Sequence, residues 1–173
     1  MNYAAIKKYD IANGTGVRVS LFVSGCTHHC KGCFNSETWD FKYGNAFTED
    51  TEEEIISAMK PKYIEGLSLL GGEPFEKYNQ RALVTFLRKI REIFPDKTIW
   101  CYSGYTFDVD LIPGGRAYCE VTDELVSMID IIVDGEFVQE LYDISLIFRG
   151  SSNQRIIDVK KSKEQGKTIL ADI

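Results

Sequence analysis

The 173-residue sequence lacks any long apolar run. No uninterrupted stretch approaches the roughly 18 apolar residues that a membrane-spanning helix requires. The first 14 residues, MNYAAIKKYDIANG, also lack the apolar segment of a secretory signal. We therefore expect a cytoplasmic protein that has no membrane partner.

The sequence also has no excess of positive charge, no low-complexity segment and no internal repeat. Its formal net charge at pH 7 is −6, whereas a general nucleic-acid-binding protein needs a basic face to contact phosphates. We therefore expect no nucleic-acid partner. The chain length and a hydrophobic content of 44% predict one globular domain with a substantial core.

The cysteines do not have the pattern of a disulfide-bonded protein. There are five of them, an odd number, and Cys26, Cys30 and Cys33 are crowded into one short segment. Cys101 and Cys119 lie far along the chain, in or beside apolar segments, and we expect both to be buried as small hydrophobic side chains. The three crowded cysteines are expected to be metal ligands of an intracellular protein.

Strand and helix patterns alternate along the chain. The predicted strands are Val17–Val23, Leu67–Leu70, Thr98–Tyr102, Ile131–Val133 and Arg155–Val159. The predicted helices are Thr51–Met59, Asn79–Phe94 and Thr122–Met128, the first of them beginning at a capping box of Thr51 and Glu54. This alternation predicts a single α/β domain with mainly parallel strands and right-handed crossovers. Because a complete eight-unit barrel needs about 250 residues, we expect a partial α/β barrel or an open α/β sheet.

Three unusual loops follow predicted strands. The cysteine loop follows the first strand, Gly71-Gly72-Glu73-Pro74 follows the second, and Ser103-Gly104 follows the third. The carboxyl ends of parallel strands meet at one edge of a sheet or barrel, where active sites usually lie. We therefore expect the three loops to form one site.

The cysteine loop carries a C-x3-C-x2-C motif, whose thiolates can bind zinc or an iron–sulfur cluster. A structural zinc site needs four ligands, commonly in two separated pairs, and the sequence has no second pair at such spacing. His28 and His29 could supply a fourth ligand, but their position between Cys26 and Cys30 makes this awkward. We expect both to be partly exposed loop residues that could tune the site through hydrogen bonds. Three thiolates on a cubane leave one iron open. The spacing favours a cluster, with zinc and unliganded thiols as alternatives.

This motif resembles the signature of the radical S-adenosylmethionine (SAM) enzymes. The resemblance implies that Cys26, Cys30 and Cys33 hold one 4Fe–4S cluster and that its fourth iron chelates SAM. It also implies that reductive cleavage of SAM yields a 5′-deoxyadenosyl radical, so that the cysteines are catalytic as well as metal ligands. The protein would position and enclose this chemistry.

The segment Gly71-Gly72-Glu73-Pro74 on its own is typical of a tight turn after a strand. Beside the cysteine motif, it is similar to the GGE segment that receives the methionine end of SAM in this superfamily. The glycines would let the backbone come close to the ligand, and Glu73 would add negative charge near its amino group. The resemblance implies that Gly71, Gly72, Glu73 and Pro74 bind SAM.

Further segments resemble one branch of the superfamily, the activating proteins of anaerobic ribonucleoside-triphosphate reductase. Within the cysteine loop, Gly32 precedes the third cysteine and Phe34 follows it, as in this branch, and both are implied to lie at the cofactor site. Residues 1–159 would form the activase domain, and residues 160–173 would be a polar extension of it. The other matching segments are NGTGVRVSLFVSGC, CKGCFNSETWDF, SGYTF, IIVDGEFV and RGSSNQRIIDV.

The reaction implied by this resemblance is the installation of a glycyl radical. The 5′-deoxyadenosyl radical would remove a hydrogen atom from one glycine of the large subunit of the reductase, so the substrate is a protein. A low-potential electron donor such as a flavodoxin is implied as a second partner. The implied fold is a partial α/β barrel of the radical SAM type.

Three other functions stay open. The target could be another glycyl-radical enzyme, although activases of those enzymes often carry a ferredoxin-like insert that this sequence lacks. The chain could also be a small radical SAM enzyme that acts on a nucleotide or peptide. A zinc-stabilised interaction module is the alternative that is not an enzyme.

Overall fold

The computed structural model describes residues 1–173 as one α/β domain built on a seven-stranded sheet. The strands are β1 (Asn2–Asp10), β2 (Val17–Val23), β3 (Asn45–Ala46), β4 (Ile64–Gly71), β5 (Thr98–Tyr102), β6 (Ile131–Asp134) and β7 (Arg155–Asp158). Their order across the sheet is β3-β1-β2-β4-β5-β6-β7. The α-helices are α1 (Glu49–Met59), α2 (Lys77–Ile93), α3 (Phe107–Asp110), α4 (Thr122–Ser127) and α5 (Val159–Gln165). None of these helices is both long and apolar enough to span a bilayer.

The predicted α/β class is confirmed, but the expectation of mainly parallel strands is wrong. The pairs β2–β4, β4–β5 and β5–β6 are parallel, whereas β1–β2, β1–β3 and β6–β7 are antiparallel. A parallel connection needs a crossover of a dozen or more residues, and only residues 11–16 join β1 to β2. The end strands β3 and β7 do not pair with each other, so the partial barrel stays a prediction.

The helices differ from the predictions mainly at their ends. Helix α1 begins two residues earlier than predicted, because its capping box joins Thr48 to Thr51 instead of Thr51 to Glu54. The predicted polar tail contains α5, whose N-terminus is capped by the Asp158 carboxylate, which accepts from Lys161 N at 2.9 Å. Val159 and Ser162 of α5 are buried, so this segment packs against the rest of the domain.

One face of the sheet packs against the helices and forms the hydrophobic core. Alternate residues of β2, including Leu21, lie on this face with Leu69 of β4 and Ile132 of β6. Helix α2 covers them with its apolar stripe of Leu83, Phe86, Leu87 and Ile90. Cys101 belongs to this core and Cys119 is also buried, which confirms the predicted burial of both side chains.

The opposite face of the sheet holds a buried arginine. Arg18 of β2 is fully buried and donates five hydrogen bonds, all to neutral oxygens of Thr15, Leu67, Ser68 and Thr98. Burial lowers the pKa of Arg18 to about 10, so the guanidinium stays charged at neutral pH. A buried charge without hydrogen bonds would be strongly destabilising. Here the hydrogen bonds of the Arg18 guanidinium connect β2 to β4 and β5.

We expect Arg18→Met to lower the free energy of unfolding by about 2–4 kcal/mol, because it leaves buried oxygens without donors. The matched control is Arg81→Met, which removes an exposed arginine paired with Glu120 at 2.6 Å and should cost less than about 0.5 kcal/mol. Urea unfolding monitored by circular dichroism measures both values. Equal losses of unfolding free energy in the two variants would show that the buried hydrogen bonds of Arg18 stabilise the protein no more than an exposed ion pair does.

Candidate active site

The parallel strands bring the three predicted loops to one edge of the sheet. The last residue of β2, Val23, pairs with Gly71 of β4, so the cysteine loop and the glycine loop leave adjacent strands at the same level. The loops border a cavity of about 410 Å³, which is within the usual range for ligand sites. Seven of the nine predicted site residues line this cavity: Cys26, Cys30, Cys33, Phe34, Gly71, Gly72 and Glu73.

The other two predicted site residues lie outside the cavity lining. Pro74 is buried behind the glycine loop. Gly32 lies at the tip of the cysteine loop with a φ of 75°, and its α-carbon faces the side chain of Gln139. The cavity also contains residues that the sequence analysis did not assign to the site, among them His28, Trp39, Tyr102 and Arg149.

The Glu73 carboxylate holds the three loops together. It is only 1% exposed. Its Oε1 accepts hydrogen bonds from Phe75 N at 2.8 Å and from Ser103 Oγ at 2.9 Å. Its Oε2 accepts from Gly104 N at 2.7 Å and from His28 Nε2 at 3.0 Å. One side chain therefore joins the cysteine loop, its own loop and the loop after β5.

His28 belongs to this network: the residue as a whole is partly exposed, as expected, but its side chain is buried. Its side chain is 5% exposed, and its two ring nitrogens lie 3.0 Å from Glu73 and 2.9 Å from Glu136. A neutral imidazole has only one N–H to donate, so two carboxylate partners require the imidazolium. Burial lowers the pKa of His28, but hydrogen bonds and charges from both glutamates outweigh burial and raise the pKa above its ordinary value.

Two glycines allow the loops to come this close. A Cβ on Gly72 would lie 2.6 Å from the carbonyl oxygen of Gly25, and a Cβ on Gly104 would lie 2.7 Å from the His28 ring. Both distances are far shorter than van der Waals contact. At these positions the absence of a side chain lets the protein's own loops meet, in addition to leaving room in the cavity.

The cysteine thiols have surroundings that suit metal ligands. Burial raises the pKa of Cys26 to about 12, although the nearby backbone N–H groups of His28 and His29 oppose the rise. Burial also raises the pKa of Cys30, against an N–H donor from Phe137. These thiols are neutral without a metal, and a bound metal ion deprotonates such a thiol outright. The N–H groups would then stabilise the sulfur charge.

The two kinds of metal site place different demands on the thiols. No group of three or more His, Cys, Asp or Glu side chains is arranged to hold a single metal ion. Thiolate ligands of one tetrahedral zinc must converge to about 3.8 Å from each other, since each Zn–S bond is about 2.3 Å. A cluster that binds each cysteine through a different iron does not require this convergence. The donor set of three thiols suits a cluster with one open iron, whereas a structural zinc site is closed by four ligands.

Comparison with known proteins agrees with this geometry. Residues 12–157 match the family model of a 4Fe-4S single cluster domain. A protein of Haemophilus influenzae named anaerobic ribonucleoside-triphosphate reductase-activating protein is 42% identical over 90% of this chain and 97% of its own length. The chain belongs to this family of activating proteins. The proteins of the same name from Escherichia coli K12 and Enterobacteria phage T4 are 43% and 37% identical, over 89% and 90% of this chain and 96% and 93% of their own lengths.

Membership of the activating-protein family confirms the predicted resemblance, and the matched model supports the predicted iron–sulfur cluster. All three cysteines lie inside the matched residues 12–157, as do the Glu73 network and the loop after β5. The match ends within β7, close to the boundary predicted for the activase domain.

We expect Glu73→Gln to destabilise the protein by more than about 2 kcal/mol and to lower its iron content after anaerobic reconstitution. All four partners of the carboxylate are donors, and an amide nitrogen in place of one oxygen would face two of them. The exposed Glu120→Gln, which loses only its pairing with Arg81, is the control and should behave like the wild type. A Glu73→Gln protein with wild-type stability would contradict the proposed role of the network.

Proposed function

We propose that this chain is an activating enzyme for anaerobic ribonucleoside-triphosphate reductase. A 4Fe–4S cluster bound by Cys26, Cys30 and Cys33 would supply the electron that cleaves SAM, and the resulting 5′-deoxyadenosyl radical would take a hydrogen atom from one glycine of the reductase. The names of the relatives and the matched cluster domain support the target and the cluster. The proposal adds SAM, the glycyl radical and the oxidoreductase class of radical SAM enzymes.

The observation that carries this proposal is the shared cavity of the cysteine loop and the glycine loop. Three thiols are enough for a cluster with one open iron, and Gly71 and Gly72 line the same cavity. Main-chain carbonyls in such a loop can accept hydrogen bonds from an ammonium group. The loop is therefore suited to the amino group of SAM beside the open iron. Phe34 lines the same cavity, and Gly32 and Pro74, which lie outside the lining, would shape the two loops.

In this proposal, Glu73 acts as a positioning residue. Its two oxygens already accept four hydrogen bonds from the protein, which leaves it little capacity for a ligand amine. Its contribution is to fix the glycine loop against the cysteine loop, and His28 transmits the same constraint to the cysteine motif. Abstraction of a hydrogen atom requires no acid–base pair, so none is assigned.

The wider setting follows from the same proposal. The protein substrate is the large subunit of the reductase, the electron donor is a low-potential protein such as a flavodoxin, and both reactions take place in the cytoplasm without nucleic acid or membrane. The sheet would be the wall of a partial barrel of the radical SAM type. Residues 1–159 would form the activase domain and residues 160–173 its extension.

We expect anaerobic reconstitution to give about four irons per wild-type chain. Alanine at Cys26, Cys30 or Cys33 should reduce this value severely, because each thiolate holds one corner of the cluster. Cys101→Ala is the matched control, since Cys101 lies in the core on the helix side of the sheet, and it should keep its iron. Stoichiometric zinc with no uptake of iron would instead support the zinc-stabilised interaction module.

We also expect the reduced protein, mixed with SAM and the anaerobic reductase, to generate a glycyl-radical signal in electron paramagnetic resonance. The signal should be absent when SAM or the reductant is omitted. Release of 5′-deoxyadenosine without a radical on the reductase would show that the radical SAM chemistry is present but that the substrate is different. Absence of both products would contradict the proposed function.

A further inference from the structure

Three hydrogen-bond donors on the cavity wall have no partner. The indole Nε1 of Trp39, the hydroxyl of Tyr102 and the Nε of Arg149 are all buried and unpaired, and all three residues line the cavity that contains the cysteines. They are half of the six unpaired buried side-chain polar atoms in the protein. Buried polar groups in folded proteins are almost always paired, so three unpaired donors on residues that share one cavity lining indicate a ligand with several acceptor atoms.

Arg149 differs from the other six arginines of the chain. Five of them form ion pairs with carboxylates, and Arg18 is satisfied by five hydrogen bonds inside the sheet. Arg149 has no carboxylate partner and donates only one hydrogen bond, to the carbonyl oxygen of Gln154 at 2.8 Å. A guanidinium has five donors, so most of its hydrogen-bonding capacity is unused within the protein.

Tyr102 is suited to donate at the same cavity. Tyr102 is the last residue of β5, and burial raises the pKa of its hydroxyl above the ordinary value. The group therefore remains a neutral O–H donor under physiological conditions. Trp39 can only donate, because its indole has no acceptor atom. The three groups together select acceptor oxygens.

The proposed substrate has a chemistry that matches these donors. A glycine offers no side chain for recognition, so at that position an enzyme can hold only the main chain, and the exposed acceptors of an extended main chain are carbonyl oxygens. We propose that Trp39, Tyr102 and Arg149 bind main-chain carbonyl oxygens of the glycine-bearing segment of the protein substrate. This inference rests on the proposed function and adds the way in which the substrate is held.

The rim of the cavity is suited to the residues that flank the glycine. Phe34 is 66% exposed, with its ring 5.1 Å from Phe137 and 5.8 Å from Tyr142. Ile144 is 88% exposed, and all four residues line the cavity. Exposed apolar clusters of this kind mark interaction sites. Arg149 lines the same cavity as this rim, so a chain segment that crosses the rim would bring its main chain toward Arg149.

The test uses Tyr102→Phe and Arg149→Gln, which remove donors and keep most of the side-chain volume. Each variant is reconstituted with its cluster, and its affinity for the reductase large subunit and for SAM is measured separately by equilibrium binding. We expect each substitution to weaken binding of the reductase by about 5- to 30-fold and to lower the yield of glycyl radical per 5′-deoxyadenosine released. The control Arg81→Gln removes an arginine that lies outside the cavity and should match the wild type in every measurement.

Two results would overturn the inference. A loss of SAM affinity equal to or larger than the loss of reductase affinity would assign the donors to SAM. Unchanged affinity for the reductase in both variants would show that the donors do not bind the substrate. Failure of the proposed function is recognised separately, because the wild type itself would then form no radical on the reductase. Iron content and circular dichroism of each variant identify any loss of folding.

Discussion

The site depends on one buried carboxylate. Glu73 accepts hydrogen bonds from three different loops, and its charge is balanced by the His28 imidazolium, which in turn contacts Glu136. Burial of an unpaired charge costs several kcal/mol, so loop arrangements that separate these groups are strongly disfavoured. The network therefore fixes the relative position of the cysteine loop, the glycine loop and the loop after β5 without using any of the cysteines.

This arrangement separates positioning from ligand binding. The residues that hold the loops, Glu73 and His28, have their hydrogen-bonding capacity filled by the protein. The groups with free capacity are the cysteine thiols and the donors of Tyr102 and Arg149, and all of these line the same cavity. A rigid frame around unsaturated groups is what preorganised sites require, and it suits chemistry in which a reactive radical must be kept close to one target atom.

The sequence predicted the central part of the fold well. The bounds of β2 and β5 agree with the prediction, because compact β-branched and apolar runs mark buried parallel strands. Strand β1 was missed, since Asp10 is its only buried residue and no apolar alternation marks it. The antiparallel pairings β1–β2, β1–β3 and β6–β7 at the two sides of the sheet were also not predicted. Helix α5 was missed because its polar composition resembles that of a loose tail.

The sequence predicted those parts of the site that lie within local motifs. The cysteine and glycine motifs identified seven residues that line the cavity, and their positions after adjacent strands predicted that they would meet. The roles of His28 and Arg149 could not be predicted from local motifs. His28 has partners 45 and 108 positions away, and the importance of Arg149 lies in a missing carboxylate, which becomes visible only when all the neighbours are known.

In the proposed function, the three-cysteine site keeps one iron of its cluster free for SAM. The most direct measurement is electron–nuclear double resonance on the reduced protein, mixed with SAM that carries ¹⁷O in its carboxylate or ¹⁵N in its amino group. The account predicts hyperfine coupling of both labelled groups to the cluster. A protein that holds a reduced four-iron cluster, and shows no coupling from either label at saturating SAM, would contradict it.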